Sequence, residues 1–260
     1  MLSHVAQVWR LCATALSYLL FGLGALLLTA SWFPLAACCR RPAQRQRLAQ
    51  TMIRGAFRTF LTVLSAAGVL SYRIHGAERL RQDGGCLLVA NHPSLLDYVL
   101  LASVMPQCDC IVKQALWHNP FVGGIVRAAG YLPNADPESL FSRCQQRLQQ
   151  GGILLIFPEG TRSVPGAALH LQRGAAHLAL RCRADVRLAH IRCEPATLTK
   201  GAPWYQIPRR KPHFEVTIGR KVAIAPFLAA AQPESLTARA LTTFLTQALT
   251  FVEPGTSYDG

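Results

Sequence analysis

The sequence predicts an α/β domain whose sheet is at least partly parallel, preceded by an N-terminal helical segment that docks on a membrane or crosses it. Three observations carry this reading. Leu11 to Phe33 is a run of 23 residues without a charge or a histidine. Beyond Ile74, short apolar runs bounded by glycine, proline and asparagine alternate with stretches of helical periodicity, the pattern of strands feeding helices. Of 27 basic and 13 acidic residues, nine arginines and a single acid, Glu78, fall within Met1 to Leu80. The most apolar part of the chain is therefore also the most basic.

With 260 residues, 51% of them hydrophobic, the chain can bury a real core in one domain plus an appendage. We divide it into a membrane-associating segment, 1–72, and an α/β domain, 73–260. The 23-residue run exceeds the roughly 20 helical residues that span a bilayer core. Arg10 alone precedes it, whereas Arg40, Arg41, Arg45, Arg47, Arg54 and Arg58 follow, so the downstream side is expected to be cytoplasmic. This makes the chain a protein of the inner, cytoplasm-facing membrane. Gly22, Gly24 and Pro34 permit either a span or a helical hairpin in one leaflet. A second apolar stretch, Thr59 to Tyr72, is 14 residues long and too short to span; interfacial, re-entrant and core-helix placements all suit it. A cleaved export signal is disfavoured, because export would oxidise most of the nine cysteines and Arg40-Arg41 would oppose translocation.

Composition closes other classes. The cysteines are odd in number and irregular in spacing, and Cys38-Cys39 and Cys108-x-Cys110 lack the spacing of zinc ligands, so neither a disulfide scaffold nor a metal site is expected. A net charge of +14 with only 15% charged residues suits a surface of anionic lipid better than a disordered basic tail. Arg209-Arg210-Lys211 is too short, and too poor in interleaved aromatics, to mark a nucleic-acid-binding protein.

Within the domain, Cys86 to Ala90 and Gly152 to Phe157 read as buried strands. Asp109 to Lys113, Val186 to Arg192, Phe214 to Ile218 and Lys221 to Ile224 are weaker strand candidates. Helices are expected over Ser94 to Met105, Pro137 to Gln150, Gly174 to Arg183 and Ser235 to Phe251. The last carries Leu236, Leu241, Phe244, Leu245 and Ala248 at helical spacing.

Chemistry concentrates at the ends of the two best strands. Asn91-His92-Pro93-Ser94-Leu95-Leu96-Asp97 follows the first. Pro93 keeps His92 out of the helical region and so on the connecting turn. Ser94 is a good N-cap, which makes Asp97 the third helical residue, leaning back toward the turn. A carboxylate on one imidazole nitrogen fixes the tautomer and leaves the other nitrogen free as a base. Asp97 also suits a helix start electrostatically, so a capping role competes with the catalytic one. Phe157-Pro158-Glu159-Gly160-Thr161-Arg162-Ser163 follows the second strand. Arg162 offers a planar fork of donors suited to phosphate, Gly160 lets backbone approach a ligand, and Thr161 adds a hydroxyl. Ligands collect outside the carboxyl ends of parallel strands, so the two motifs are expected to face one another.

His-x4-Asp followed some 70 residues later by Phe-Pro-Glu-Gly-Thr-Arg-Ser resembles the glycerolipid acyltransferases, the lysophosphatidic acid acyltransferase branch in particular. The resemblance covers about Tyr72 to Ile224, and the basic, apolar N-terminus is similar to that family's membrane-docking helices. It implies an acyltransferase-like domain with a mixed, partly parallel sheet and transfer of a fatty acyl group to a hydroxyl of a lysophospholipid. The acyl donor would be acyl-CoA or an acyl carrier protein thioester, with no bound cofactor or metal. The implied partners are membrane lipid, lysolipid acceptor and acyl donor, and not nucleic acid. By this resemblance His92 is the general base and Asp97 its orienter, while Glu159, Gly160, Thr161 and Arg162 hold the acceptor. Lys113-Gln114-Ala115-Leu116 through Pro120-Phe121-Val122-Gly123 matches a further block, which places Lys113 at the acceptor site. One departure stands out: Asp136 occupies the position at which the family's block ends in arginine. An acid there is expected to disfavour a phosphomonoester acceptor.

Overall fold

The computed structural model describes residues 2–39, 41–134, 136–230 and 232–250. Arg40, at the head of the basic flank, and Phe251, the expected end of the last helix, lie outside the described residues. Two long helices come first, α1 (Leu2–Cys38) and α2 (Pro42–Ala66). His4–Ala36 within α1 is long and apolar enough to cross a membrane, by length and composition. The helix lies beside α2, where Phe21 packs on Phe57 and Phe60 at ring distances of 6.3 and 5.4 Å. Thr59 to Tyr72 is not one element. Helix α2 ends at Ala66, where Gly68 takes a left-handed φ of 72° while its N–H reaches Ser65 and that of Val69 reaches Leu64. This pairing of two orphan carbonyls needs a residue without a Cβ penalty, and it turns the chain into a strand that the apolar content of the stretch conceals.

That strand is β1 (Ser71–His75), followed by α3 (Arg79–Gln82), β2 (Cys86–Ala90) and α4 (Asp97–Val104). Next come β3 (Asp109–Lys113), α5 (Gln114–Trp117), α6 (Gly123–Ala128), β4 (Leu132–Asn134), α7 (Pro137–Gln149) and β5 (Ile153–Ile156). The chain continues through α8 (Gly174–Cys182), β6 (Val186–Glu194), β7 (His213–Val222), α9 (Ala225–Ala229) and α10 (Glu234–Thr250). The seven strands form one sheet in the order β1-β7-β6-β2-β5-β3-β4. Every neighbouring pair is parallel except β6 and β7. The mixed, partly parallel α/β sheet expected from the sequence is thus present, and it is mostly parallel. The two short strands expected across 214–224 are one ten-residue strand, β7. It runs through Gly219 because pairing with β6 continues on both sides of a register irregularity between Arg187 and Ala189.

Strand β2 is buried on both faces and sorts the core. Leu88 and Ala90 join Leu61 and Leu64 of α2 and Leu100 and Leu101 of α4 on one side. Leu87 and Val89 meet Ala176 and Leu180 of α8 and Leu241 and Leu245 of α10 on the other. The alternation follows from the period of two along a strand, and it yields three layers with helices on both faces. In α10 the buried stripe is Thr237, Ala238, Leu241, Leu245 and Leu249, whereas Leu236 is exposed.

Candidate active site

Strands β2 and β5 are direct neighbours with Val89 opposite Ile156, so the loops leaving their carboxyl ends emerge side by side. Helix α4 begins at Asp97 rather than Ser94, and Ser94, Leu95 and Leu96 form a turn instead. The delay has a local cause. The Asp97 carboxylate folds back so that its Oδ2 accepts both from the Ser94 N–H at 2.7 Å and from His92 Nδ1 at 2.8 Å. The same oxygen therefore makes both contacts, to the imidazole and to the turn that leads into the helix.

The Asp97 side chain is 0% exposed and that of His92 is 19% exposed. Burial pushes the Asp97 carboxyl up to about 6, against the opposing pull of the His92 and Ser94 hydrogen bonds. Its Oδ1 is buried without a hydrogen-bond partner among the described residues. With Nδ1 donating to Asp97, His92 Nε2 has no bond to any described residue. The imidazole ring also lies on Phe157, with centroids 4.2 Å apart and planes at 22°, so its orientation is held on one edge and one face.

Glu159 occupies the seam between the two loops. Its Oε1 accepts from the His92 N–H at 2.8 Å and from the Ser163 hydroxyl at 2.8 Å, while the Ser163 N–H donates to the His92 carbonyl at 2.7 Å. Asn91 adds a second brace: its amide exchanges two hydrogen bonds, of 2.8 and 2.7 Å, with the backbone of Ile191 in β6. Arg162 donates to the carbonyl of Leu198 at 2.7 Å, and that carbonyl also accepts from the Leu95 N–H. Leu198 sits at a φ of 52°, a conformation strained for a leucine. Gly160 takes a φ of 69° and, like Thr161, is exposed beside these groups.

Lys113, at the end of β3, is exposed and lines a cavity of about 500 Å³ together with Tyr98, Leu116, Tyr131 and Phe157. A second cavity, of about 450 Å³, is bounded by Leu20, Phe21 and Gly24 of α1, Ile53 and Phe57 of α2, and Val126 of α6. Tyr98, Leu116 and Tyr131 line both cavities, and the Tyr98 hydroxyl donates to that of Tyr131 at 2.6 Å. A lining of apolar side chains thus runs from the N-terminal helices to Phe157, on which His92 lies.

The structure therefore gathers His92, Asp97, Glu159 and Arg162 around two adjoining loops, and places Lys113 along a cavity that is also lined by Phe157, the ring on which His92 lies. Asp136 does something else. It is the N-cap of α7, its carboxylate accepting from the Ser139 N–H at 2.9 Å. This bond holds the exposed carboxyl below the usual carboxylate range. Asp-Pro at the head of a helix is a capping signal in its own right, which offers a structural reason for an acid at this position. Sequence reasoning missed Tyr98, Tyr131 and Leu198, and assigned no role to Asn91, Phe157 or Ser163. The last three stand inside the two motifs, where adjacency was the available signal; nothing local marks the first three.

Residues 71–193 match the family model described as Acyltransferase. A chloroplast 1-acyl-sn-glycerol-3-phosphate acyltransferase of Brassica napus is 32% identical over 114 residues, 42% of this chain and 33% of that protein. The enzyme of that name from Helicobacter pylori is 38% identical over 89 residues, 32% of this chain and 38% of its own. The human beta form is 29% identical over 124 residues, 45% of each. The chain thus spans a third to just under half the length of these curated relatives. The crystal structure of the 1-acyl-sn-glycerophosphate acyltransferase PlsC from Thermotoga maritima superposes with a TM-score of 0.73 at 17% identity, covering 94% of this chain and 97% of that one. The resemblance carried by the two motifs is borne out, and the fold is shared over nearly the whole chain.

Proposed function

We propose that this chain is a membrane-bound acyltransferase. It moves a fatty acyl group from a thioester donor, acyl-CoA or acyl carrier protein, to a hydroxyl of a lysophospholipid such as 1-acylglycerol-3-phosphate. One observation carries the reading: a His92 imidazole, oriented by a fully buried Asp97, stacks on Phe157, which lines the nearer of two adjoining apolar cavities of about 500 and 450 Å³. The matching family model and the names of the curated relatives support it.

His92 Nε2 accepts the acceptor's hydroxyl proton as the oxygen attacks the thioester carbonyl. Asp97 steadies the imidazolium that forms. When the tetrahedral intermediate collapses, the carbon–sulfur bond breaks and the proton returns to the leaving thiolate. The donor is already activated, so no enzyme nucleophile is required, and the buried cysteines take no part. Positioned base catalysis contributes about 10²–10⁴-fold, and most of the remainder comes from orientation. Arg162 binds the acceptor's anionic group with the donors that Leu198 leaves free, and Gly160, Thr161 and Lys113 line its approach. Glu159 acts as a brace, because an acid that already accepts from His92 and Ser163 is a poor partner for a phosphate. The acyl chain lies along the cavity floored by Tyr98 and Tyr131.

The geometry of α1 favours a helix lying in one leaflet over a span. Its Gln7 bonds to Ile207 and its Thr29 to Phe121, both in the α/β domain. These residues lie about 33 Å apart along the helix axis, so a span would drag polar domain surface through the bilayer. The basic flank after α1 suits the anionic lipid of a cytoplasmic leaflet, so the domain lies on that side. The test is acyl transfer by the purified full chain across a panel of lysolipid acceptors with both donor types, beside His92→Ala. Transfer that falls at least a hundredfold in the variant is expected. Failure with every acceptor, or a variant within tenfold of the wild type, overturns the reading.

A further inference from the structure

The segment between β6 and β7 is stitched to α1. Gln7 Nε2 donates to the Ile207 carbonyl at 3.1 Å, and the buried Arg10 guanidinium donates to the carbonyls of Pro208, at 3.3 Å, and Arg209. Tyr18 meets Trp204 edge to face at 5.8 Å. The segment nevertheless turns its bulkiest aromatic and cationic side chains outward. Trp204 is 44% and Tyr205 60% exposed, and Arg209, Arg210 and Lys211 are all exposed. Among the described residues no carboxylate lies within ion-pair distance of these three cations. On α1, Val5, Val8, Leu16 and Leu19 are exposed along the same stretch that holds the segment.

We infer that residues 199–212 form a second membrane-contacting element, contributed by the α/β domain, which docks on the headgroups of anionic phospholipids. Trp204 and Tyr205 enter the interface at headgroup level, and Arg209, Arg210 and Lys211 pair with lipid phosphates. The inference rests on the reading that α1 lies in the bilayer. An apolar helix, an aromatic pair and an unpaired cationic triad in one surface match the layers of an anionic leaflet in depth and in sign. Tryptophan and tyrosine favour the zone where apolar and wet surroundings meet. Basic side chains near such a surface contribute ~1 kcal/mol each, so three confer about a hundredfold preference for anionic over neutral lipid. Two features lower the ordering cost. Arg10 and Gln7 hold the segment's backbone before any lipid arrives, and Leu198 at its base is already pinned by Arg162 and Leu95. The Leu198 contact also ties the docking element to the loops around His92, so the bilayer surface and the acceptor-binding arginine keep one registry.

The test uses the full chain reconstituted in bilayers of phosphatidylcholine, with and without phosphatidylglycerol, and with brominated acyl chains as quencher. The difference between wild type and Trp204→Phe isolates the emission of Trp204. That emission is expected to be quenched in the anionic bilayer and much less in the neutral one. The contrast should disappear in the triple variant Arg209→Gln/Arg210→Gln/Lys211→Gln and shrink at high salt. The triple variant should keep its melting temperature and its transfer rate in detergent. Equal quenching in both bilayers, or a contrast that survives the triple substitution, overturns the inference. Co-flotation with neutral vesicles reports on α1 separately: a chain that floats yet shows no Trp204 contrast loses this inference alone, whereas a chain that floats with no vesicle loses both. Retention of RNA that depends on the triad, without a bilayer effect, also overturns it.

Discussion

Asp97→Asn should separate activity from stability in opposite directions. Asparagine keeps the shape of the carboxylate, and its carbonyl oxygen can still accept from His92 Nδ1 and from the Ser94 N–H, the two bonds now converging on Oδ2. What is lost is the charge facing an imidazolium at 2.8 Å in a site where the carboxylate is 0% exposed. Hydrogen bonds to charged groups contribute about 1.5–3 kcal/mol against ~1 for neutral ones. The amide can also flip and present donors to Nδ1, selecting the wrong tautomer. Together these lower kcat by about 10²–10⁴. Stability follows a different sign. The Asp97 carboxyl holds its proton up to about 6 in the folded chain, against an ordinary 3.8. Between those values the folded state binds more protons than the unfolded one, so stability falls as the pH rises through that window. At 1.36 kcal/mol per pH unit the loss is on the order of 3 kcal/mol, and asparagine does not incur it. At pH 7.5 the variant should therefore melt no lower than the wild type, while its stability loses the slope between pH 4 and 6. Wild-type transfer should fall as the pH drops through about 6, where Asp97 takes up a proton. Thermal melts across pH, paired with initial rates, decide the matter. A variant that retains more than a tenth of the rate and melts several degrees lower would show Asp97 only to hold the turn ahead of α4.

Other perturbations probe the remaining groups. Arg162→Lys keeps the charge but loses the paired donors, so acceptor KM should rise with kcat little changed; a lowered kcat at constant KM would assign Arg162 to the transition state. A Cβ at Gly24 meets nothing within 4 Å although the residue lines the apolar cavity, so Gly24→Leu should fold normally and shift donor preference toward shorter acyl chains, read from competition between thioesters. Unchanged chain preference would remove the cavity from the acyl path. Asp136→Ala should lower the melting temperature slightly by uncapping α7 and leave acceptor preference intact; a changed ratio between lysophosphatidic acid and other lysolipids would return Asp136 to the acceptor site.

Much of this protein is written locally. The buried strands β2 and β5, helices α7, α8 and α10, and the apolar body of α1 declare themselves by periodicity, because each makes its hydrogen bonds and chooses its buried face within a few residues. His92 and Asp97 belong to the same local order, since five residues across one proline-held turn bring carboxylate and imidazole together wherever the turn sits in a fold. Strand β1 was hidden because its residues continue the composition of α2, and only the turn at Gly68 separates them. Tertiary structure alone decided what surrounds the pair. The Glu159 bond to the His92 N–H spans 67 residues and the Asn91 pairing with Ile191 spans 100. Both exist because β2 lies between β5 and β6. Tyr98 and Tyr131 meet only after α4 and the turn beyond α6 pack over β3. Periodicity specifies which face of an element is apolar but not which element will cover it, so the turn that carries His92 could be read from the chain, while the braces and the cavity around it awaited the order of the strands.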